Sequence, residues 1–414
     1  MFILKHFKNY AAKFVIGLIC GASLVFSFQY WQSAADRTVL VAAQDCYETS
    51  PIQVTRIDCW MGMIEEVFAE EGTGAAFDLF QDIYLTYDDF ANLECHKNAH
   101  RVGDLSFYHD YLTHNDLAKV DFPPNATACG YGFYHGFVEH LIQNQPTEEY
   151  VDEACTYLKE NISDVAPAIG STCYHGAGHG LLLAQADSLL NPEEWTVENF
   201  TSEPLRKCGR LKKASVDEIK QCYTGVFTVL STWQLAGEYG LPYTPLEPFS
   251  HCDQITVEEY QIPCYEEASQ ILNIGDDLTV AKIFELAQTG ERQDLVTVTL
   301  KVGIYGLVQR DPDGLTAETV NECRQTLSVL NNGTKLCVRA FAEGLAEHGP
   351  PGIEYKYINK FCTSDMIFEE ERDYCAAVLA EKMQRFRSPK ELDVLCKEGE
   401  VMPLACEIIA QSTG

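Results

Sequence analysis

Histidine is concentrated in one part of this chain. Eight of the eleven histidines in the 414 residues fall between positions 96 and 179. Neutral imidazole is the commonest metal ligand among protein side chains, and it also serves as a general acid or base near neutral pH. The cluster therefore points to metal binding or proton transfer within residues 95–183.

The clustered histidines recur in three short phrases that share one spacing. Each phrase places two candidate ligands four residues apart, which in a helix puts both side chains on one face, one turn apart. The phrases are CHKNAH with His96 and His100, YHGFVEH with His135, Glu139 and His140, and CYHGAGHG with His175 and His179. We expect these six histidines to bind a metal and Glu139 to be a further ligand or a general base.

The chemistry of such a site is only partly specified by its residues. Imidazole with carboxylate suits iron, copper or zinc, and also manganese, and four to six ligands would serve one ion or two. Two alternatives stay open: a structural core of hydrogen-bonded histidine and tyrosine, and a metal-free acid–base site. No HExxH, GxSxG, P-loop, CxxCH or Rossmann motif occurs, which favours redox or hydroxylation chemistry over hydrolysis. The isolated His251 and His348 are expected in loops or at the surface.

The elements that carry these phrases belong to a repeat. The second cysteine of successive pairs opens similar phrases, such as CGYGFYHG at 129, CYHGAGHG at 173 and CYTGVFTV at 222. Units begin about every 40 residues, a length typical of helical hairpins, and apolar residues follow the helical period without sustained strand-type alternation. We predict an all-α fold of disulfide-stapled helical-hairpin repeats, an α-solenoid or α/α array.

Two features of the repeat bear on the site. The position six residues after the cysteine is polar in every unit, and stacking would align these positions as one strip: Glu65, His135, His179, Thr228, Gln270, Glu343 and Glu381. Gly176, Gly178 and Gly180 together would cost a helix about 3 kcal/mol. We expect either a closely packed neighbouring helix or a backbone that leaves room for a ligand to offset this cost.

At the level of class, the cysteine-opened units resemble disulfide-stapled helical-repeat proteins of the Sel1-like kind, although the full consensus of that family does not lie over them. The resemblance implies a role in binding partners. The histidine arrangement is similar in principle to the HEAT-repeat hydroxylases, whose helical repeats present His and Glu pairs to a dinuclear iron centre. The chain departs from these enzymes in its disulfides, its export signal and its HxxxH spacing in place of adjacent His-Glu pairs.

The cysteines also indicate a compartment. Sixteen follow residue 45, and six of the eight pairs taken in sequence order are separated by 10 to 14 residues. Without a CxxC motif, these cysteines predict structural disulfides in an oxidising compartment, with sequential pairing as the simplest connectivity. Four N-x-S/T sequons, at Asn125, Asn161, Asn199 and Asn332, indicate a glycoprotein of the secretory route, and a bacterial periplasmic protein is the alternative.

The N-terminus predicts attachment to a membrane. The eighteen largely apolar residues 14–31 would cover about 27 Å as a helix, and the lysines before them predict a cytoplasmic N-terminus. We therefore expect a cytoplasmic tail at 1–13, a transmembrane signal anchor at 14–31, a stalk at 32–45 and a helical-repeat ectodomain at 46–414. A cleavable signal peptide is the alternative, because small residues follow at 33–35.

The net charge of the chain limits the kinds of partner that it can bind. The 61 acidic residues outnumber the 30 Lys and Arg, giving −31, so nucleic acid and anionic lipid surfaces would be repelled. Two functions remain for an ectodomain in the lumen, extracellular space or periplasm. One is a metal-dependent oxidoreductase or hydroxylase acting on a small-molecule substrate of unknown identity. The other is a non-catalytic scaffold that binds a protein or glycan, with structural histidines.

Overall fold

The computed structural model describes residues 43–48, 53–87, 90, 95–241, 247–269, 272, 279–310 and 315–413. Helix makes up 80% of the structure, and no strand occurs in those ranges. The predicted all-α class is therefore confirmed.

The helices of the first part of the chain are α1 Gln53–Glu71, α2 Thr73–Thr86, α3 Cys95–Ser106, α4 Ala128–Asn144, α5 Glu148–Ile162, α6 Ile169–Ser188, α7 Val197–Cys208, α8 Val216–Ala236 and α9 Glu258–Ala268. The second part contains α10 Val280–Ala287, α11 Val296–Arg310, α12 Ala317–Leu327, α13 Gly333–His348, α14 Glu354–Thr363, α15 Glu369–Phe386, α16 Pro389–Glu398 and α17 Pro403–Thr413. Shorter helical segments are Phe107–Tyr111, a π-helical turn, and Leu112–His114, Leu117–Lys119, Pro124–Thr127, Pro192–Glu194, Glu238–Gly240, Ser250–Asp253 and Gln293–Leu295.

Helix α8 shows how the local sequence sets the helix ends. The Ser215 hydroxyl accepts a hydrogen bond from the Glu218 backbone N–H, and the Glu218 carboxylate accepts one from the Ser215 N–H at 2.7 Å. This capping box satisfies two donors that the first helical turn leaves open. At the other end Gly237 adopts left-handed dihedral angles (φ 67°), which glycine tolerates without steric cost.

Alternate helices pack on one another in an unbroken series. Each of α3, α4, α6, α8, α9, α11, α13, α15 and α17 contacts the next member. The helices between them pack on the neighbouring members, as α7 does on α6 and α8. An early member of the series also contacts a late one, because α4 packs on α13. The part of the chain with the histidine phrases therefore lies beside a part about 200 residues downstream.

The eight disulfides in the described part of the chain join cysteines that are consecutive in the sequence, which confirms the predicted sequential pairing: 46–59, 95–129, 155–173, 208–222, 252–264, 323–337, 362–375 and 396–406. Cys208 at the end of α7, for example, is bonded to Cys222 in α8. The 95–129 disulfide differs from this pattern. It links the starts of α3 and α4, two helices that carry histidines.

The division of the chain and the lengths of its helices bear on the predicted segments. The chain divides into two units between Met63 and Ile64, within α1. In the described ranges no helix is long and apolar enough to cross a membrane. The predicted tail and anchor at 1–31 and most of the predicted stalk lie outside the described residues.

Candidate metal centre

Glycines bring the histidine-bearing helices into backbone contact. A Cβ atom on Gly136 would overlap the His100 carbonyl oxygen, and one on Gly180 would overlap that of Glu139. On the opposite face of α6, a Cβ on Gly178 would overlap the Cys222 carbonyl oxygen of α8. Close helix packing therefore accounts for the glycines of CYHGAGHG, and this close approach brings ligand-type side chains of α3, α4 and α6 together.

Five of the six predicted histidines form one continuous cluster. The rings of His96 and His100 are centred 4.7 Å apart, and His96 and His135 5.0 Å apart. The chain of contacts continues from His135 to His175 at 4.7 Å and from His175 to His179 at 4.8 Å. His135 and His179 are only 7% and 3% exposed, and His96, His100 and His175 are half-buried, so the cluster is partly shielded from solvent.

Three rings converge on one point, and we call His96, His100 and His135 the three-histidine group. His96 Nε2 lies 3.0 Å from His100 Nε2 and 3.2 Å from His135 Nδ1. Two nitrogens bound to one ion at about 2.0–2.1 Å are separated by about 2.9–3.4 Å for bond angles near 90–110°. Both observed separations fit a shared ion.

A second set, which we call the glutamate group, contains His100, Glu139 and His179. Glu139 Oε2 lies 2.9 Å from His179 Nδ1 and 4.0 Å from His100 Nδ1. One ligand atom from each residue can be chosen so that all three lie within 4.8 Å of one another, and the same holds for the three-histidine group. Imidazole and carboxylate together are a ligand set for transition metals.

A backbone carbonyl sets the tautomer of His96. Its Nδ1 lies 2.9 Å from the Cys129 carbonyl oxygen, and because a carbonyl only accepts, Nδ1 must carry the proton. Nε2 then holds a lone pair directed at the other two rings. The carbonyl is presented by an unusual turn at the start of α4, in which Cys129, Gly130 and Tyr131 all adopt left-handed dihedral angles (φ 54–63°). Such a conformation is unfavourable for residues other than glycine.

In His179 and His175, too, a hydrogen-bond acceptor lies next to Nδ1. The His179 Nδ1 donates to the Glu139 carboxylate, and its Nε2 is buried without a hydrogen-bond partner in the described part of the chain. The His175 Nδ1 lies 3.0 Å from the Thr224 hydroxyl, whose own proton goes to a backbone carbonyl. In all three residues Nδ1 is held by a hydrogen bond. For His96 this leaves the Nε2 lone pair available to a metal, whereas His179 would bind an ion of the glutamate group through Nδ1 once the Nδ1 proton has moved to Nε2.

Burial favours the uncharged form of four histidines of the cluster. It lowers the pKa of His96, and burial together with the neighbouring histidines holds the pKa values of His100, His135 and His175 well below their usual range. Neutral imidazole is the form that binds metals. The protonation state near neutral pH is therefore the one that ligation needs.

His140 is the predicted ligand that the structure places elsewhere. Its Nε2 lies 3.3 Å from Asp104 Oδ1, and its ring packs on Phe107 and Tyr108. Burial lowers the pKa of His140, but the Asp104 carboxylate outweighs this effect and raises it. Because His140 directly follows Glu139, its side chain leaves α4 about 100° around the helix axis from that of Glu139. His140 belongs to neither group, and the predicted ligand His175, although its ring lies in the cluster, is in neither group as well.

The positions six residues after each opening cysteine, which we call the polar column, continue beyond the histidines as hydrogen bonds and ion pairs. Thr228 donates to Glu267 at 2.8 Å, and the buried Glu343 lies within 4.0 Å of Lys301, Arg339 and Lys382. Glu65 pairs with Arg101 at 3.3 Å and Glu381 with Arg339 at 2.7 Å, while Gln270 lies outside the described residues. The glutamates at this position are therefore paired with basic side chains, and Thr228 is instead hydrogen-bonded to a carboxylate.

Sequence reasoning missed a charged group from the last third of the chain. A Cβ on Gly130 would lie 3.1 Å from Glu347 Oε2 and 3.3 Å from His96 Nδ1, so this carboxylate neighbours the cluster. Burial raises the pKa of Glu347, but Arg385 and Lys382 outweigh it and lower the pKa to about 2. No local motif marks Glu347, since it reaches the site through the contact of α4 with α13.

The isolated His251 is also not where it was expected. It is 3% exposed, in contradiction to the predicted loop or surface position, and burial lowers its pKa to about 4. Its Nε2 lies 3.3 Å from the sulfur of Cys252, but Cys252 and Cys264 are joined as a disulfide. Disulfide sulfurs are not thiolates, so this second grouping does not form a metal site.

Comparisons of the chain with protein-family models, with curated proteins and with solved structures found no significant match.

Proposed function

We propose that this protein is a metal-dependent oxidoreductase or hydroxylase whose centre is formed by His96, His100, His135, His179 and Glu139. One observation carries the proposal. The lone pair of His96 Nε2, whose direction is set by the Cys129 carbonyl, lies within 3.2 Å of ring nitrogens from two other histidines. A hydrogen-bonded structural core would not require three ring nitrogens to converge.

The ligand set favours copper, iron or zinc, and copper or iron would supply one-electron chemistry when bound. The roles of the protein groups follow from their contacts. His96, His100 and His135 hold one side of the site, and Glu139 either binds an ion or accepts a proton from His179. The close-packed helices limit the access of water to these groups.

The proposed setting is an oxidising compartment outside the cytoplasm. Eight disulfides support it, since structural disulfides persist where thiols are not kept reduced. Asn161, Asn199 and Asn332 are exposed, which supports glycosylation at these sequons, and residues 14–31 would anchor the chain in the membrane. We further propose that the series of alternate helices is a helical-hairpin repeat array, with the polar column on one of its faces.

Metal content tests this function directly. The full chain is expressed in a secretory host with its disulfides intact and analysed for transition metals after desalting. We expect near-stoichiometric metal in the wild type and its loss in the double variant His135→Ala with His179→Ala. The matched control His140→Ala should keep the metal, because His140 lies outside both groups.

Two results would contradict parts of the proposal. Wild-type protein that takes up no copper, iron or zinc from an excess would refute the metal site and leave the scaffold function. Protein from its native host that contains only zinc would refute the redox chemistry.

A further inference from the structure

We infer that His100 bridges two metal ions, with its Nε2 in the three-histidine group and its Nδ1 in the glutamate group. The inference rests on the proposed function, because it requires that the cluster bind metal at all. It adds the number of ions and the bridging ligand.

The two nitrogens of His100 point to different partners. Nε2 lies 3.0 Å from His96 Nε2, and Nδ1 lies 4.0 Å from Glu139 Oε2. The lone pairs of an imidazole diverge in the plane of the ring, so one ion cannot bind both nitrogens of the same ring. An ion in one group and an ion in the other would therefore be separate, about 6 Å apart for bonds of 2.0–2.1 Å on either side of the ring.

The number of protein ligands available to each ion favours sharing of His100 between the two ions. Without His100, the three-histidine group would retain His96 and His135, and the glutamate group would retain Glu139 and His179. With His100 in both, each ion has three protein ligands and an open position, as reactive metal sites commonly have. The 4.0 Å between His100 Nδ1 and Glu139 Oε2 is within the span of about 4.2 Å that two bonds of 2.1 Å can bridge.

The protonation of His100 fits the bridging role. His96 Nε2 holds a lone pair that faces two ring nitrogens, and we assign the nearer one, His100 Nε2 at 3.0 Å, as its proton donor in the metal-free protein rather than His135 Nδ1 at 3.2 Å. His100 Nδ1 then holds the lone pair that faces Glu139. When both ions bind, the single N–H proton of His100 would leave to solvent, and the resulting imidazolate would form one bond to each ion. The Nδ1 proton of His179, which the Glu139 carboxylate accepts in the metal-free protein, would move to Nε2 so that Nδ1 can bind. Its negative charge offsets part of the charge of the two cations, which the Glu139 carboxylate reduces further.

Copper(II) is the probe that reports on the bridge. The metal-free full chain is titrated with copper(II), and bound copper is counted by elemental analysis after desalting. We expect two ions per chain and a strongly reduced electron paramagnetic resonance signal at low temperature, because an imidazolate couples two copper(II) spins antiferromagnetically. The His140→Ala control should behave like the wild type.

Single-residue variants distinguish the loss of the bridging ligand from the loss of one ion site. His135→Ala should retain one ion with the signal of isolated copper(II), and His100→Ala should weaken binding of both ions by more than tenfold and abolish the coupling. Circular dichroism checks that each variant is folded, and the wild-type measurement stands even if a variant does not fold.

The outcomes distinguish this inference from the proposed function. Two uncoupled copper ions in the wild type would overturn the bridge, and one ion per chain would overturn the two-ion centre while the proposed metal function stands. No bound copper, iron or zinc would overturn the proposed function itself.

Discussion

Replacement of Gly180 by alanine tests whether close helix packing builds the site. The new Cβ would overlap the Glu139 carbonyl oxygen and lie within 3 Å of the Gln143 nitrogen and the Ile142 Cβ. Two of these three atoms belong to the backbone of α4, so α6 must move as a whole. Inserting a methyl group into such a contact costs about 1–3 kcal/mol, and the better helix propensity of alanine returns about 1 kcal/mol. We expect a net destabilisation of up to about 2 kcal/mol.

Urea unfolding with the disulfides intact provides the measurement. Gly74 is the matched control, because it is also helical but its Cβ would lie 3.4 Å from the Asp121 carboxylate, an ordinary contact with a side chain. Gly74→Ala should leave the midpoint unchanged or raise it by the equivalent of up to about 1 kcal/mol. Gly180→Ala should also weaken metal binding, because movement of α6 separates His179 from Glu139. If Gly180→Ala is as stable as Gly74→Ala, close packing does not explain these glycines.

Three further changes test other parts of the structure. His251 is buried and neutral, so the unfolded state takes up a proton that the native state excludes. The free energy of unfolding should therefore fall by about 3 kcal/mol as the pH drops from about 6.5 to about 4. Urea midpoints measured at several pH values should show a smaller fall for His251→Gln than for the wild type. Replacing Cys208 and Cys222 by alanine opens a loop of 14 residues and should lower the free energy of unfolding by about 3 kcal/mol, measured by thermal melting. Arg324→Met leaves the buried Glu371 without its partner and should cost about 3–5 kcal/mol in urea unfolding, and a loss below about 1 kcal/mol would show that this pair is not important for stability.

Local signals predicted much of the fold. The cysteine spacing and the helical period of the apolar residues are properties of short segments, and both the all-α class and the sequential disulfides were recoverable from them. The HxxxH spacing likewise identified side chains that share a helix face. His96 and His100 do lie one turn apart on α3, with ring centres 4.7 Å apart.

The features of the site that the sequence does not predict depend on contacts between distant segments. Glu347 lies beside His96 only because α13 packs on α4, and no periodicity encodes that contact. The acceptor for His96 is a backbone carbonyl of a left-handed turn at Cys129, which side-chain identity does not reveal. The sequence predicts His140 as a ligand because it directly follows Glu139. Adjacent residues of a helix face different directions, and His140 lies beside Asp104 instead.

X-ray absorption spectroscopy of the metal-loaded protein tests the central claim most directly, because it reports the ligands of the ion itself. We predict a first shell of nitrogen and oxygen at about 2.0–2.1 Å with the outer-shell scattering of at least two imidazole rings, lost in the His135→Ala and His179→Ala double variant. A shell of oxygen alone, or a spectrum unchanged by that double variant, would contradict the assignment of the histidine cluster as the metal centre.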